Sequence, residues 1–329
     1  MSLTPHAASL RQLQYAVAVA DARSFRRAAE QCGVSQPSLS AQLAQLEGAL
    51  GVRLFERDRR RVLLTAAGED LIERARRVLV DADDLVDAAR RLGDPLAGTL
   101  AIGVIPTISP YLLPTAAPAI QRAHPRLTVR WREDKTEDLA RDLHAGRLDA
   151  ALLALEADLG GPLQREVIGR DPFVLATPRA HKLAKGSQPA TLGDLRGAPL
   201  LLLDDGHCLR DQALEVCKRA GAVESVEVRA TSLPTLVQMV AGGLGVTLLP
   251  ESSIPTLVQR HGPIVLAEFA KPVPGRNIGL AWRTSSGRLR EFRLLAETMA
   301  IEAEAFLARV REARERVRDG RPAKRRGTA

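Results

Sequence analysis

The chain has 329 residues, of which 45% are apolar, and a formal net charge of +8. This length exceeds what one hydrophobic core usually serves, so we expect two or three compact units. No window approaches the roughly 20 apolar residues of a membrane span, and residues 1–11 lack the pattern of a secretory signal, so we expect a cytoplasmic protein with no membrane partner. Three cysteines are too few for a secreted disulfide framework, and the scattered histidines predict no metal site and no cofactor.

The positive charge is concentrated at the two ends of the chain. Residues 1–68 carry nine arginines against five acidic residues, and residues 309–329 carry nine basic residues against three acidic ones. Basic segments on a near-neutral body favour nucleic acid as a partner, because neutralising phosphates supplies most non-specific affinity. Residues 309–329 themselves are expected to form a solvated basic tail.

The first part of the chain has the pattern of a helix-turn-helix. A first helix follows Leu10, a second opens at Ser24, and after a break at Gly33 a third begins behind Ser35, which can cap it. Two short helices joined by a glycine turn form this motif, and the second of the two reads the major groove. The positions expected to face DNA there are Ser35, Gln36, Pro37, Ser38, Ser40 and Gln42.

An arginine-rich segment lies between two apolar stretches after the third helix. Residues 55–64 are typical of a hairpin wing, in which Arg57, Arg59 and Arg60 would contact the DNA backbone. A solvated loop is the alternative for these arginines. We assign residues 8–65 to a winged helix-turn-helix DNA-binding domain.

Residues 66–94 predict a long helix followed by a hinge. Thr65 can cap it, and apolar residues recur along it at alternating spacings of 4 and 3, at Leu71, Ala75, Val78, Ala82, Leu85, Ala89 and Leu92. Such a heptad seam favours pairing with a second copy of the helix, and a dimer matches the paired half-sites of helix-turn-helix proteins. The alternative is an amphipathic helix that lies on its own domain.

Residues 98–308 alternate between strand and helix patterns. This rhythm predicts an α/β fold with a mostly parallel sheet, and its length suggests two lobes with a cleft at the carboxyl ends of the strands.

Two cysteines of this region lie on one predicted helix. Cys208 falls in its first turn and Cys217 near its end, about 13 Å apart along the axis at roughly 1.5 Å per residue. A disulfide needs Cα atoms within about 7 Å, so either the pair never bonds or bonding unfolds the helix locally. The helix N-terminus, His207 and Arg210 favour a Cys208 thiolate, whereas nearby aspartates oppose it. The spacing alone favours inert, buried thiols.

Two sets of motifs resemble known regulators. The first resembles the LysR-type transcription regulators, and it consists of residues 25–29, 34–40 and 46–47. The second resembles the hydrogen peroxide sensors within that family, and it consists of residues 205–213 with Cys217, residues 229–233, residues 105–107 and residues 110–114. The resemblance runs from about Leu10 to Arg283 and does not include the basic tail.

The resemblance implies a two-lobed regulatory domain of the periplasmic-binding-protein type. It implies that Cys208 is the peroxidatic thiol and Cys217 the resolving thiol of a reversible disulfide. Thr107, His207 and Arg283 would line a peroxide pocket, with Thr136 as a weaker candidate.

The resemblance also implies partners. These are promoter DNA, hydrogen peroxide, further copies of the chain in a homodimer or homotetramer, RNA polymerase, and cellular thiol reductants of the glutaredoxin or thioredoxin type. We expect a regulator and not an enzyme. The alternatives are a LysR-type regulator that binds a small metabolite in the cleft, and a thiol peroxidase.

Overall fold

The computed structural model describes residues 8–56, 62–90, 96–182, 189–220, 223–259 and 262–318. The chain divides into two compact units, Met1–Asp94 and Pro95–Ala329. Within the described ranges, no helix is long and apolar enough to cross a membrane.

The first unit contains the predicted helix-turn-helix. Its helices are α1 (Leu10–Ala22), α2 (Phe25–Gln31), α3 (Gln36–Leu50) and α4 (Ala66–Arg90). The first three begin at serines, since the side chains of Ser9, Ser24 and Ser35 each accept a hydrogen bond from a backbone N–H three residues later. The turn between α2 and α3 contains Gly33 at φ +65°, a conformation that glycine adopts without strain.

The flanks of the predicted wing pair with each other. Phe55 and Leu64 form an antiparallel bridge, and the Glu56 N–H donates to the Leu63 carbonyl at 2.9 Å. The wing arginines Arg57, Arg59 and Arg60 lie outside the described residues. The helix that follows is capped as its sequence predicts, because the Thr65 hydroxyl accepts the Gly68 N–H at 2.9 Å.

The apolar seam of α4 divides into two parts. Leu71 packs against the core of the first unit, and Ala75 is buried. Farther along, Val78 and Leu85 are 46% and 73% exposed. The helix therefore uses its first turns to pack on its own unit and presents apolar side chains to solvent beyond them.

The second unit is built from nine strands and six helices of the described chain. The strands are β1 (Gly98–Val104), β2 (Leu127–Glu133), β3 (Ala150–Ala154), β4 (Leu163–Pro178), β5 (Pro199–Leu203), β6 (Val223–Ala230), β7 (Thr247–Pro250), β8 (Ile264–Ala267) and β9 (Gly275–Arg283). The helices are α5 (Ser109–Ala123), α6 (Thr136–His144), α7 (Cys208–Ala220), α8 (Leu233–Ala241), α9 (Ile254–Leu257) and α10 (Leu289–Arg318).

The strands form two sheets, and the expectation of a mostly parallel sheet is wrong. The larger sheet has the order β2-β1-β3-β9-β4-β7 with β8 also paired to β4, and β5 pairs with β6 in a second sheet. The pairs β1–β2, β1–β3 and β5–β6 are parallel, whereas β9 and β4 run antiparallel to the strands that flank them in the described sheet. Strand β4 is long and contributes to both halves of the unit, and β9 pairs with the first part of β4.

Two hydrophobic cores define the two predicted lobes. Lobe 1 comprises β1, β2, β3, the first half of β4, β9, α5, α6 and α10, and residues such as Ile102 and Trp282 fill its core. Lobe 2 comprises the second half of β4, β5 to β8, α7, α8 and α9, with Phe173 in its core. The start of α7 contacts both cores, because Cys208 packs with lobe 1 and Leu209 with lobe 2.

Candidate functional site

A tight turn delivers Cys208 to the junction of the lobes. Strand β5 ends at Leu203, and the turn that follows is fixed by a hydrogen bond from the Asp204 N–H to the Ala230 carbonyl at 2.8 Å. Gly206 lies in this turn at φ +84°, where a side chain would be strained. Helix α7 then begins at Cys208, which is a free thiol with 7% of its surface exposed.

Lobe 1 forms the side of the site that faces Cys208. Its residues there lie at the carboxyl ends of the lobe 1 strands. Thr107 follows β1, Ala154 ends β3, and Thr136 opens α6; both threonines are buried. The Thr136 hydroxyl and the Ala154 backbone lie within reach of the Cys208 thiol and lower its pKa. The Thr136 oxygen nevertheless has no partner of regular hydrogen-bond geometry within the described residues, so this buried hydroxyl is available to a small polar ligand.

A buried arginine connects this side of the site to strands β9 and β4. Arg276, in β9, donates to the Thr107 hydroxyl at 2.7 Å and to the Thr107 carbonyl at 2.8 Å. Its other face pairs with the Asp171 carboxylate of β4 at 3.1 Å, and both side chains are fully buried. Asp171 also accepts the backbone N–H and the hydroxyl of Ser252 at 3.0 and 2.8 Å. The guanidinium of Arg276 is thus held in one orientation, and its positive charge is balanced by the Asp171 carboxylate.

The environment of Cys208 stabilises the protonated thiol. Burial raises its pKa above the usual range, and the charge of Asp211 adds to that rise. The Thr136 hydroxyl and the Arg276 guanidinium act in the opposite direction without reversing the shift. Burial therefore outweighs Thr136, Arg276 and the Ala154 backbone, and the pKa of Cys208 is raised, a direction that the sequence alone left open.

The structure places Arg283 away from this site, so its expected position in the pocket needs correction. Its guanidinium donates to the carbonyls of Leu143 and Leu148, both at 2.6 Å. The reason is the direction of β9, which pairs antiparallel with β3 so that Ala154 faces Ile278. The beginning of β9, and not its end, therefore lies at the carboxyl edge of β1 and β3.

Arg276 is the site residue that sequence reasoning missed. It could have been found from the register, because it is one of the first residues of the strand that ends at Arg283. That inference requires an antiparallel β9, whereas the sequence rhythm suggested a mostly parallel sheet.

His207 lies directly before Cys208 and is 5% exposed. Burial is the first cause that lowers its pKa, and the positive charge of Lys135 adds to the effect, while Asp204 opposes it. His207 is therefore neutral at pH 7, and its ring can accept or donate a hydrogen bond according to its tautomer.

The lowered pKa of His207 predicts a pH dependence of stability. Because the unfolded chain binds a proton near pH 6.5 and the folded chain resists it, the free energy of unfolding should fall as the pH drops below 6.5. We expect a His207→Gln variant to lose less thermal stability than the wild type between pH 7 and pH 5.5, as measured by calorimetry. Equal losses in both proteins would contradict this account of His207.

Cys217 lies on the same helix as Cys208, as predicted. The backbone is helical from Cys208 to Ala220, so the nine-residue separation corresponds to about 13 Å along the axis. A disulfide between the two cysteines requires α7 to unwind, since their Cα atoms must come within about 7 Å of each other.

The predicted DNA-binding positions lie at the start of α3. Ser35, Gln36, Pro37 and Ser38 are exposed, and Ser40 is partly buried. Gln42 is partly buried too, and its side-chain oxygen accepts a hydrogen bond from Gln12 of α1 at 3.2 Å. The first turn of α3 thus presents the accessible polar groups of this set.

The sequence matches two families that together cover most of the chain. Residues 10–69 match the bacterial regulatory helix-turn-helix proteins of the lysR family, and residues 93–303 match the LysR substrate binding domain.

Individual relatives are similar over nearly their whole length. A probable hydrogen peroxide-inducible genes activator of Mycobacterium avium is 50% identical over 283 residues, 85% of this chain and 89% of the relative. Among solved structures, full-length OxyR of Pseudomonas aeruginosa, in a variant form, has a TM-score of 0.74 and 37% identity, with 90% of this chain and 95% of that chain covered. A hydrogen peroxide-bound mutant of Corynebacterium glutamicum OxyR has a TM-score of 0.64 and 35% identity, with 97% and 100% covered.

Proposed function

Since the chain belongs to the LysR family of bacterial transcription regulators, and within it to the hydrogen peroxide-inducible activators, we propose that it senses hydrogen peroxide at Cys208 and regulates oxidative-stress genes. The observation that carries this proposal is the placement of one buried thiol against the Thr136 hydroxyl, which has no partner of regular hydrogen-bond geometry in the described chain, and close to a fixed arginine. A small neutral oxidant fits such a site better than a large charged metabolite does.

The first chemical step is attack of the Cys208 sulfur on one peroxide oxygen. The S–O bond forms as the O–O bond breaks, and the leaving oxygen takes up a proton and departs as water, which leaves a sulfenic acid. Because the resting group is a thiol, it must lose its proton as the peroxide binds. The positive charge of Arg276 favours the thiolate, and Thr136 supplies a hydroxyl for the peroxide, so negative charge on either sulfur or leaving oxygen is stabilised.

The second step closes a disulfide with Cys217. Its sulfur attacks the sulfenic acid of Cys208, the S–S bond forms, and the hydroxyl leaves as water with the proton of Cys217. Because the intact helix keeps the two residues about 13 Å apart, residues 209–216 must refold, and this refolding transmits the signal. Cellular thiol reductants would reset the switch.

The other parts of the chain have roles that follow from the family. Residues 8–65 bind promoter DNA through α3 and the wing arginines, and residues 66–94 join two copies through the apolar seam of α4, on which Leu85 is exposed. Residues 98–308 form the redox-sensing domain, and residues 309–329 form a basic tail. We infer a homodimer or homotetramer that acts on RNA polymerase and that, as a regulator, does not turn over peroxide catalytically.

Footprinting on a promoter that the protein binds tests the proposal. Stoichiometric peroxide should change the footprint, and a dithiol reductant should restore it. A footprint that changes with a metabolite and ignores peroxide would favour a metabolite-responsive regulator, and sustained peroxide consumption in the presence of reductant would favour a thiol peroxidase.

A further inference from the structure

Three cations converge on the turn that precedes Cys208. The Asp205 carboxylate pairs with the Nε of Arg210 at 2.9 Å and with the guanidinium of Arg229 at 2.8 Å. The ammonium of Lys135 donates to the backbone carbonyl of Asp205 at 2.8 Å. Of these three cations, Lys135 comes from lobe 1 and the two arginines come from lobe 2.

Lys135 contacts the turn with its aliphatic stem as well. A Cβ on Gly206 would lie 3.1 Å from Cδ of Lys135, which shows how closely the stem passes over the turn. Lys135 also immediately precedes Thr136, whose hydroxyl faces Cys208. One two-residue segment of lobe 1 therefore contacts both the reactive thiol and the turn that presents it.

These contacts belong to the conformation in which α7 is intact. Arg210 lies in the first turn of α7, and its backbone N–H donates to the His207 carbonyl at 2.9 Å. Formation of the Cys208 to Cys217 bond requires α7 to unwind between the two residues. Unwinding that begins at Cys208 moves the Asp205 carbonyl away from Lys135, which lies on the other lobe. On that path the lysine contact is lost between the sulfenic acid and the disulfide.

We propose that Lys135 is a positioning residue that holds the reduced turn of residues 204–207 against lobe 1 and thereby slows disulfide closure after Cys208 has reacted. The inference rests on the proposed function, because it concerns the second step of the same reaction. Lys135 does not take part in the bonds that change: the O–O bond breaks in the first step, and in the second the S–S bond replaces the S–O bond with release of water. It governs how readily the backbone leaves its reduced conformation.

The expected effect is confined to the second step. A hydrogen bond from a charged donor at a partly exposed site typically changes an equilibrium by about three- to tenfold. Loss of the ammonium should therefore speed closure of the disulfide about three- to tenfold, and should leave the formation of the sulfenic acid within about twofold of the wild type.

Lys135→Met is the matched variant, because it keeps an unbranched stem over Gly206 and removes only the ammonium. Lys135→Arg keeps a cationic donor and should restore closure to near the wild-type rate. Lys271→Met, at an exposed lysine between β8 and β9, controls for the loss of one positive charge. For each full-length protein, the sulfenic acid is trapped with a dimedone reagent in a Cys217→Ser background, and the disulfide is quantified by quenched alkylation and mass spectrometry.

Two further outcomes separate this inference from the proposed function. If the wild type forms neither sulfenic acid nor disulfide with peroxide, the proposed function itself fails. If the wild type forms both, two results for Lys135→Met would contradict the role of Lys135. One is disulfide closure at the wild-type rate, and the other is a change of about three- to tenfold in the rate of sulfenic acid formation.

The equilibrium offers an independent readout. A contact made only in the reduced conformation stabilises the dithiol, so its loss makes the disulfide harder to reduce. For a tenfold change, the midpoint potential of Lys135→Met should be about 30 mV more negative than that of the wild type in a glutathione titration. An unchanged midpoint potential in Lys135→Met would contradict the proposal. Lys135→Arg should have the midpoint potential of the wild type.

Discussion

A Cys208→Ser protein is expected to bind promoter DNA with the footprint of the reduced wild type and to keep that footprint when peroxide is added. The serine hydroxyl is close in size to the thiol, so the buried position at the start of α7 is retained. It is not a nucleophile toward peroxide, so no sulfenic acid forms and α7 has no reason to unwind. The response to peroxide should therefore be lost completely, as measured by footprinting at increasing peroxide concentration.

Cys32→Ser supplies the control for this experiment. Cys32 is partly buried at the end of α2, in the unit that contains the helix-turn-helix. Its replacement should leave the peroxide response intact. A Cys208→Ser protein that still changes its footprint with peroxide would refute the assignment of the sensing thiol.

Replacement of Arg276 by methionine is expected to have the second large effect. Its guanidinium is the fixed positive charge that favours the Cys208 thiolate, so its loss should slow the reaction of Cys208 with peroxide by about a hundredfold, the magnitude typical for one stabilising donor. The substitution also leaves Asp171 buried without its partner, which should lower the free energy of unfolding by about 3 kcal/mol. Stopped-flow thiol oxidation and denaturant unfolding measure the two effects separately.

Two variants separate chemistry from stability at this position. The double variant Asp171→Asn, Arg276→Met removes the uncompensated charge and should recover much of the lost stability without recovering the peroxide rate. Arg283→Met removes hydrogen bonds to two backbone carbonyls and should lower stability while leaving the rate near that of the wild type. The opposite pattern would contradict this assignment. In that case the Arg283 variant would react slowly with peroxide, the Arg276 variant would react at the wild-type rate, and Arg283 would be the arginine of the pocket.

Local signals in the sequence were sufficient for the first unit. Serine caps, a glycine turn and regular apolar spacing are properties of neighbouring residues, so the sequence alone places α1, α2 and α3 correctly. The same holds for the two cysteines of α7, which the sequence analysis placed on one helix.

The second unit was less predictable, because its strand pairing depends on distant segments. The first half of β4 carries exposed Arg165, Glu166 and Val167 and lacks the apolar run of a buried strand, so its own residues do not predict a strand. The direction of β9 is likewise set by its partners β3 and β4 and not by its own residues. The expectation that Arg283 lines the pocket is incorrect because of the direction of β9, since Arg276 and Arg283 lie near opposite ends of this strand.

Burial was the other quantity that local reasoning could not supply. The charges around Cys208 are visible in the sequence, but the direction of its pKa shift depends on how deeply the thiol lies between the lobes. The contact between Lys135 and Asp205 is equally invisible in the sequence, because about 70 residues separate the two partners.

The central claim is that peroxide joins Cys208 to Cys217, and mass spectrometry of tryptic peptides tests it most directly. Trypsin separates the two cysteines, because cleavage after Arg196, Arg210 and Lys218 places them in peptides 197–210 and 211–218. After one equivalent of peroxide and alkylation of free thiols, these peptides should be found joined, and dithiol treatment should release them, while Cys32 remains alkylated. Recovery of both peptides as separate alkylated species at full peroxide consumption would contradict the account.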